Sequence, residues 1–86
     1  MQEYDLLIKP SAVKEIESIS SKRDRQRIVS SIARLAENPR PAGCEKLSGR
    51  EKYRIRKGRY RIVYSIADKE LVVFVVKAGH RGDVYR

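Results

Sequence analysis

Lys52-Tyr53-Arg54-Ile55-Arg56-Lys57-Gly58-Arg59-Tyr60-Arg61-Ile62-Val63-Tyr64 interleaves cations with aromatic and branched apolar residues on both sides of a single glycine. Successive side chains of a β-strand point to opposite faces. Lys52, Arg54 and Arg56 therefore share one face, and Tyr53 and Ile55 the other. Past a turn at Gly58, Arg61 points away from Tyr60, Ile62 and Tyr64. A sheet built on these strands has an apolar face for a core and a cationic face open to a polyanion. RNA is the polyanion expected there.

The same period extends the sheet in both directions. Leu71 to Ala78 contains Leu71-Val72-Val73-Phe74-Val75-Val76, apolar on both faces, and is expected as the central strand. It follows a turn on Asp68-Lys69, and the strands before it span Tyr53 to Arg56 and Arg59 to Ala67. Tyr4, Leu6 and Ile8 alternate with Asp5 and Lys9 as a short first strand. Pro10-Ser11 then opens a helix with Ser11 as N-cap and Ala12, Val13, Ile16 and Ile19 as its apolar stripe. A second helix from about Asp24 to Glu37 carries Ile28, Ile32 and Leu35, with Val29, Ala33 and Ala36 beside them. Asn38-Pro39 ends it, since a residue before proline avoids helical angles. Arg40 to Gly49, with Pro41 and Gly43, reads as a loop. The order β-α-α-β-β-β implies an α+β fold: two helices on one face of a mainly antiparallel sheet.

The 86 residues suit one domain over 1–86, with 41% apolar and 36% charged residues. Lys and Arg number 20 against 11 acids, a net charge of +9, which calls for an anionic partner: nucleic acid, an anionic membrane surface or an acidic protein. No apolar run approaches the roughly 18 residues of a membrane span. Met1-Gln2-Glu3-Tyr4-Asp5 is acidic where a secretion signal is basic and then apolar, so the cytoplasm is the expected location. The lone Cys44 makes no internal disulfide and fits a reducing compartment. No Cys/His spacing suggests zinc.

Cleavage of RNA by transesterification needs a group that takes the 2′-OH proton, a group that protonates the departing 5′-oxygen, and cations for the charge gathering on phosphorus. The arginine fork matches phosphate oxygens bidentately. Arg54, Arg56 and Arg61 on one sheet face, with Arg81 on the C-terminal segment, are the catalytic candidates. Between Arg50 and Tyr64 lie seven cations and one acid, Glu51. Their mutual repulsion calls for an anionic ligand, and Arg50, Lys52, Lys57 and Arg59 are expected to contact an RNA backbone. Tyr85 is read either as a base-stacking or proton-handling group or as an aromatic folded back on the domain. His80, the single imidazole, is either an acid–base group titrating near neutrality or a packing residue. Tyr53, Tyr60 and Tyr64 belong to the core face. Asp68, Glu70 and Asp83 form no metal site, so chemistry without metal or cofactor is expected.

A two-helix start is followed by Lys46-Leu47-Ser48-Gly49, Tyr53-Arg54-Ile55-Arg56 and Tyr60-Arg61-Ile62-Val63-Tyr64. Then come Val73-Phe74-Val75-Val76, Gly79-His80-Arg81 and Asp83-Val84-Tyr85-Arg86. This series resembles the RelE/ParE toxin superfamily over essentially the whole chain, and within it the RelE branch. The resemblance implies a type II toxin–antitoxin toxin: a ribosome-dependent endoribonuclease that cuts messenger RNA in the A site. It also implies an acidic RelB-like antitoxin as partner in a hetero-oligomer. By motif, Arg61 and Arg81 match the phosphate-stabilising arginines and Tyr85 the functional C-terminal tyrosine. Arg54 and Arg56 fall where the best-known relative has lysines, one of them its proposed general base. Arginine does not give up its proton. The base is then Tyr85, His80, Lys52 or a group of the ribosome. A ParE-like toxin that inhibits gyrase without nuclease activity is one alternative; a non-catalytic basic nucleic-acid-binding module is another.

Overall fold

The computed structural model describes residues 3–47 and 51–80, His80 by its backbone alone. Its elements are β1 (Asp5–Ile8), α1 (Pro10–Glu17), α2 (Lys22–Leu35), β2 (Glu45–Leu47), β3 (Lys52–Lys57), β4 (Tyr60–Ala67) and β5 (Val72–His80). The strands form one sheet in the order β1-β5-β4-β3-β2, with β1 parallel to β5 and the other pairs antiparallel. The α+β arrangement is the expected one, with one strand more. β2 lies inside the stretch read as a loop; three residues are too few to show alternation, and pairing with β3 makes them a strand. β5 is interior, as its two-sided apolar run requires, but β4 occupies the middle of the sheet.

Local chemistry explains the helix boundaries. Pro10 takes the first position of α1, where its missing N–H is no loss. The N-cap is Lys9, not Ser11: Lys9, preceding proline, is held extended with φ −58° and ψ 139°. Helix α2 begins two residues before Asp24, because Ser21 caps it by accepting the Asp24 N–H at 3.2 Å. It ends at Leu35, two residues before Glu37.

Both helices lie on one face of the sheet. Ala12, Ile16, Ile19, Ile28, Ile32 and Leu35 pack with Tyr53, Ile55, Ile62, Tyr64, Ile66, Val73, Val75 and Ala78. Val13 and Val29, although apolar, face outward and are exposed. The Tyr53 and Tyr64 rings stack with centroids 5.9 Å apart. The buried Tyr64 hydroxyl donates to the Pro39 carbonyl at 2.6 Å. Burial, with Cys44 alongside, pushes that hydroxyl well above the usual tyrosine range, so it remains a donor. Cys44 itself packs half-buried against the core.

A β-bulge interrupts the β4/β5 ladder. Tyr64 pairs with Val75 and Val63 with Lys77, leaving Val76 as the extra residue. Val73 and Val75 before the bulge and Ala78 after it are buried in the core. Glu15 of α1 accepts the Ala78 N–H at 3.1 Å and meets Lys77 Nζ at 3.3 Å, satisfying a strand edge beyond the reach of β1.

At the far end of the sheet Arg40 ties loops together. Its guanidinium donates to Glu51 Oε1 at 3.1 Å, Asp68 Oδ2 at 2.9 Å and the Tyr53 hydroxyl at 3.1 Å. The Tyr4 hydroxyl donates to Asp68 Oδ1 at 2.7 Å. The hydrogen bond from Arg40, then that from Tyr4, holds the Asp68 carboxyl below the usual range. The Tyr53 hydroxyl, Lys46 and Arg40 do the same for Glu51.

Two outcomes are expected. Tyr64→Phe leaves the buried Pro39 carbonyl without its donor and should lower unfolding stability by about 1–2 kcal/mol in denaturant titrations. Because the folded pKa values of Asp68 and Glu51 are depressed, their contribution is complete above the unfolded values of about 4 and is lost as pH falls through the folded ones. Asp68→Asn should lower the melting temperature at pH 7 and flatten its decline below about pH 4. An unchanged acid limb would show that Asp68 is not part of the tie.

Candidate nucleic-acid interface

Strand register fixes which side chains share the face opposite the helices. Arg56 stands across from Arg61, and Arg61 across from Gly79. The next row runs Glu45, Arg54, Val63, Lys77. A third runs Leu47, Lys52, Ser65, Phe74, Leu7. The open face is thus graded along the strands: cationic toward the Gly58 turn, apolar toward Leu7 and Phe74, which are 54% and 37% exposed.

The Gly58 turn is what aligns the arginines. Lys57 pairs with Tyr60, leaving Gly58 and Arg59 as a two-residue loop, and Gly58 has φ 61°. Glycine adopts this left-handed value without a Cβ penalty, as a tight hairpin requires at its first central position. The register thus sets two arginines directly opposite each other on the open face. Only Gly79 follows in that row, so no side chain stands over it from β5.

Arg54 is already engaged. Its Nη2 and Nε donate to Glu45 Oε1 at 2.6 and 3.1 Å. That hydrogen bond, chiefly, holds the Glu45 carboxyl below the ordinary range. The contact is exposed enough for a phosphate to compete with Glu45 for the fork.

The structure brings Arg54, Arg56, Arg61 and Lys52 onto one face. Lys57 alternates with Arg56 and turns to the helix side, where it lines a groove against α2. Arg59 is exposed in the turn. Arg50, Arg81, Tyr85 and the side chain of His80 lie outside the described residues. Tyr53 and Tyr64 are core residues, and the half-buried Tyr60 donates to Asp24 Oδ2 at 3.0 Å. Among the described residues no three His, Cys, Asp or Glu gather as a metal site, and no helix is long and apolar enough to cross a membrane. Glu45 was not anticipated, because its place opposite Arg54 appears only once β2 is recognised. The Leu7 and Phe74 pair was also missed; their parity was readable, but not that β1 runs beside β5.

Residues 6–85 match the family model of the ParE toxin of the type II toxin–antitoxin system parDE. This chain belongs to the RelE/ParE toxin superfamily. Among solved structures it is similar to RelE in the RelE–RelB complex of Pyrococcus horikoshii OT3, at 30% identity and TM-score 0.82, covering 93% of this chain and 97% of that one. It is similar to the isolated Escherichia coli RelE toxin at 31% identity and TM-score 0.77, covering 95% and 90%. The toxin of the intact E. coli RelBE complex matches at 26% identity and TM-score 0.77, covering 90% and 95%. No curated protein matches the chain. The RelE/ParE chain is therefore a type II toxin with a RelE-like fold.

In this toxin Glu45→Gln keeps the shape of the Glu45 side chain and removes its charge, freeing Arg54. Binding of a phosphate polyanion should tighten, and its salt dependence should steepen by up to about 0.7–0.9 in log–log slope, one phosphate contact. An unchanged slope in fluorescence anisotropy titrations would mean that Arg54 does not reach the ligand.

Proposed function

We propose that this toxin is an endoribonuclease that cleaves messenger RNA in the ribosomal A site and so halts translation. The observation that carries the reading is the Arg56 and Arg61 pair on the open face, with Arg54 one row along. In the proposed reaction the 2′-oxygen attacks the adjacent phosphorus as its proton is removed. The 5′-oxygen leaves as it is protonated, giving a 2′,3′-cyclic phosphate. Arg61, with Arg81 by motif and Arg54 and Arg56 beside it, donates to the phosphoryl oxygens as charge gathers on them.

Distance narrows the choice of proton carrier. Lys52 lies four residues along β3 from Arg56, about 13 Å at strand rise, farther from the Arg56 row than Arg54 is. Tyr85 is assigned that role, with His80 as its rival. Lys52, Lys57, Arg59 and Arg50 are assigned to backbone contacts with RNA and ribosome. The proposed partner is an acidic RelB-like antitoxin whose apolar residues cover Leu7 and Phe74 while its carboxylates meet the arginine rows. Toxin and target meet in the cytoplasm. The match to a ParE model favours a second reading, a toxin that inhibits gyrase and cuts no RNA.

Induction of the toxin alone should arrest growth, with primer extension on a translated reporter locating cuts inside A-site codons. Arg61→Ala and Arg81→Ala should each lower single-turnover cleavage on programmed ribosomes by about 10²–10³-fold while the protein stays folded. Tyr85→Phe should be defective if the hydroxyl moves a proton and near normal if the ring only stacks. Intact messenger with altered plasmid supercoiling would replace this reading with the gyrase one.

A further inference from the structure

Helix α2 carries a second basic surface, on the other side of the sheet from the arginine rows. Arg23, Arg27 and Arg34 are four and seven residues apart. At 100° and 1.5 Å per residue they fall within about 40° of one line, with axial spacings of about 6 and 10 Å. Ile28, Ile32 and Leu35 occupy the opposite side, in the core. The hairpin end of β3 forms a facing wall, and the two enclose an open groove of about 620 Å³. Gln26, Ser30, Ser31, Lys57 and Gly58 complete its lining. The Tyr60 hydroxyl, bonded to Asp24 at 3.0 Å, fastens hairpin to helix and sets the separation of the walls.

Two properties tell what the groove takes. Arg40, Lys46, Arg54 and Lys77 each meet a carboxylate. Among the described residues Arg23, Arg27, Arg34 and Lys57 have no such partner, and no acid lines the groove. Nor does any apolar side chain line it, so a peptide would find no pocket for the buried anchors that carry peptide affinity. The exposed apolar side chains stand outside this lining, Leu7 and Phe74 across the sheet and Val29 on the neighbouring face of α2. At Gly58 a Cβ would meet nothing within 4 Å, so a ligand backbone can come close to the rim. Because the hairpin walls the basic side of α2, the surface is concave and admits one strand, whereas a helix that reads duplex DNA must protrude into the major groove. Gln26 and Ser30 offer hydrogen-bonding partners for a 2′-hydroxyl.

We propose that the groove between α2 and the Gly58 hairpin is a second binding site for the phosphodiester backbone of a single RNA strand, held by Arg23, Arg27, Arg34 and Lys57. The site lies apart from the face assigned to cleavage, and binding is measurable without catalysis, so its failure and failure of the nuclease reading are separate results.

The test uses the full chain and a fluorescent 12-nucleotide oligouridylate, with oligodeoxythymidylate and an acidic 12-residue polyglutamate peptide as comparison probes. Affinity is measured by anisotropy across a salt series. The triple variant Arg23→Gln, Arg27→Gln, Arg34→Gln should reduce the log–log salt slope by about 2 and RNA affinity at 0.1 M salt by about 10²-fold. The triple Arg→Lys variant, which keeps the charges, should retain the slope. Far-UV circular dichroism checks folding; if the triple glutamine variant unfolds, each single variant should lower the slope by about 0.7. An unchanged slope in folded variants would overturn the proposal. So would a loss confined to the peptide, which would make the groove a protein-docking site, or equal binding of the deoxy probe, which would remove the RNA assignment.

Discussion

Everything distinctive about this fold depends on the register of one hairpin. With Lys57 locked opposite Tyr60 around Gly58, Tyr53 falls opposite Tyr64 and Ile55 opposite Ile62, all buried, while Arg56 meets Arg61 on the far face. The side-chain period of a strand is two, so a slip by one residue would exchange the faces. Lys52, Arg54 and Arg56 would then be driven into a core made of isoleucine, valine and tyrosine. Burying even one unpaired cation costs more than a small fold can spare. The same burial that builds the core therefore enforces the alignment of the arginines, and the site needs no scaffold of its own.

The charges divide by purpose. Arg40, with Glu51, Asp68, Tyr53 and Tyr4, forms a tie at the end of the sheet far from the hairpin. Its partners are carboxylates and phenols of the same chain, so it is a structural clasp. Glu15 plays a similar part at the β5 edge. Arg54 is intermediate: it is held by Glu45, but exposed enough to exchange that carboxylate for another anion. Arg56 stands across from another arginine, Arg61, on the open face, while the other face of the same two strands is well buried.

Much of this was legible in the residues alone. Alternation in 52–64 separates the two faces, and the i, i+4, i+7 series Ile28, Ile32, Leu35 places α2 on the core. What escaped was set by contacts distant in sequence or by a neighbour of a local signal. β2 is a strand only because β3 lies beside it. Ser11 has the chemistry of a cap, but Pro10 takes the first helical position and shifts the cap to Lys9. Val13 and Val29 look like core residues, yet they sit at the outer margins of their stripes. Ser21 lies just before the helix start expected at Asp24, although its spacing to Asp24 is a capping signal. The arginine series of α2 was visible as a helix-face pattern; the opposing hairpin wall that turns it into a groove was not. Arg81 and Tyr85 are identified by motif alone.

The bulge at Val76 has a bearing on how such chains diverge. One unpaired residue inverts the parity of all that follows it in the strand, which is why Lys77 is kept out of the core and Ala78 enters it. Lengthening the turn at 68–71 or the connection at 36–44 would leave that parity untouched. Within β5, by contrast, losing or gaining a single residue would reverse it and turn Lys77 inward. Viable length changes in this strand must come in even numbers, or an odd change must be matched by the loss or gain of a bulge. The strand thus obeys an arithmetic of insertions and deletions stricter than that of its residue types, and alignments among distant relatives should place their gaps accordingly.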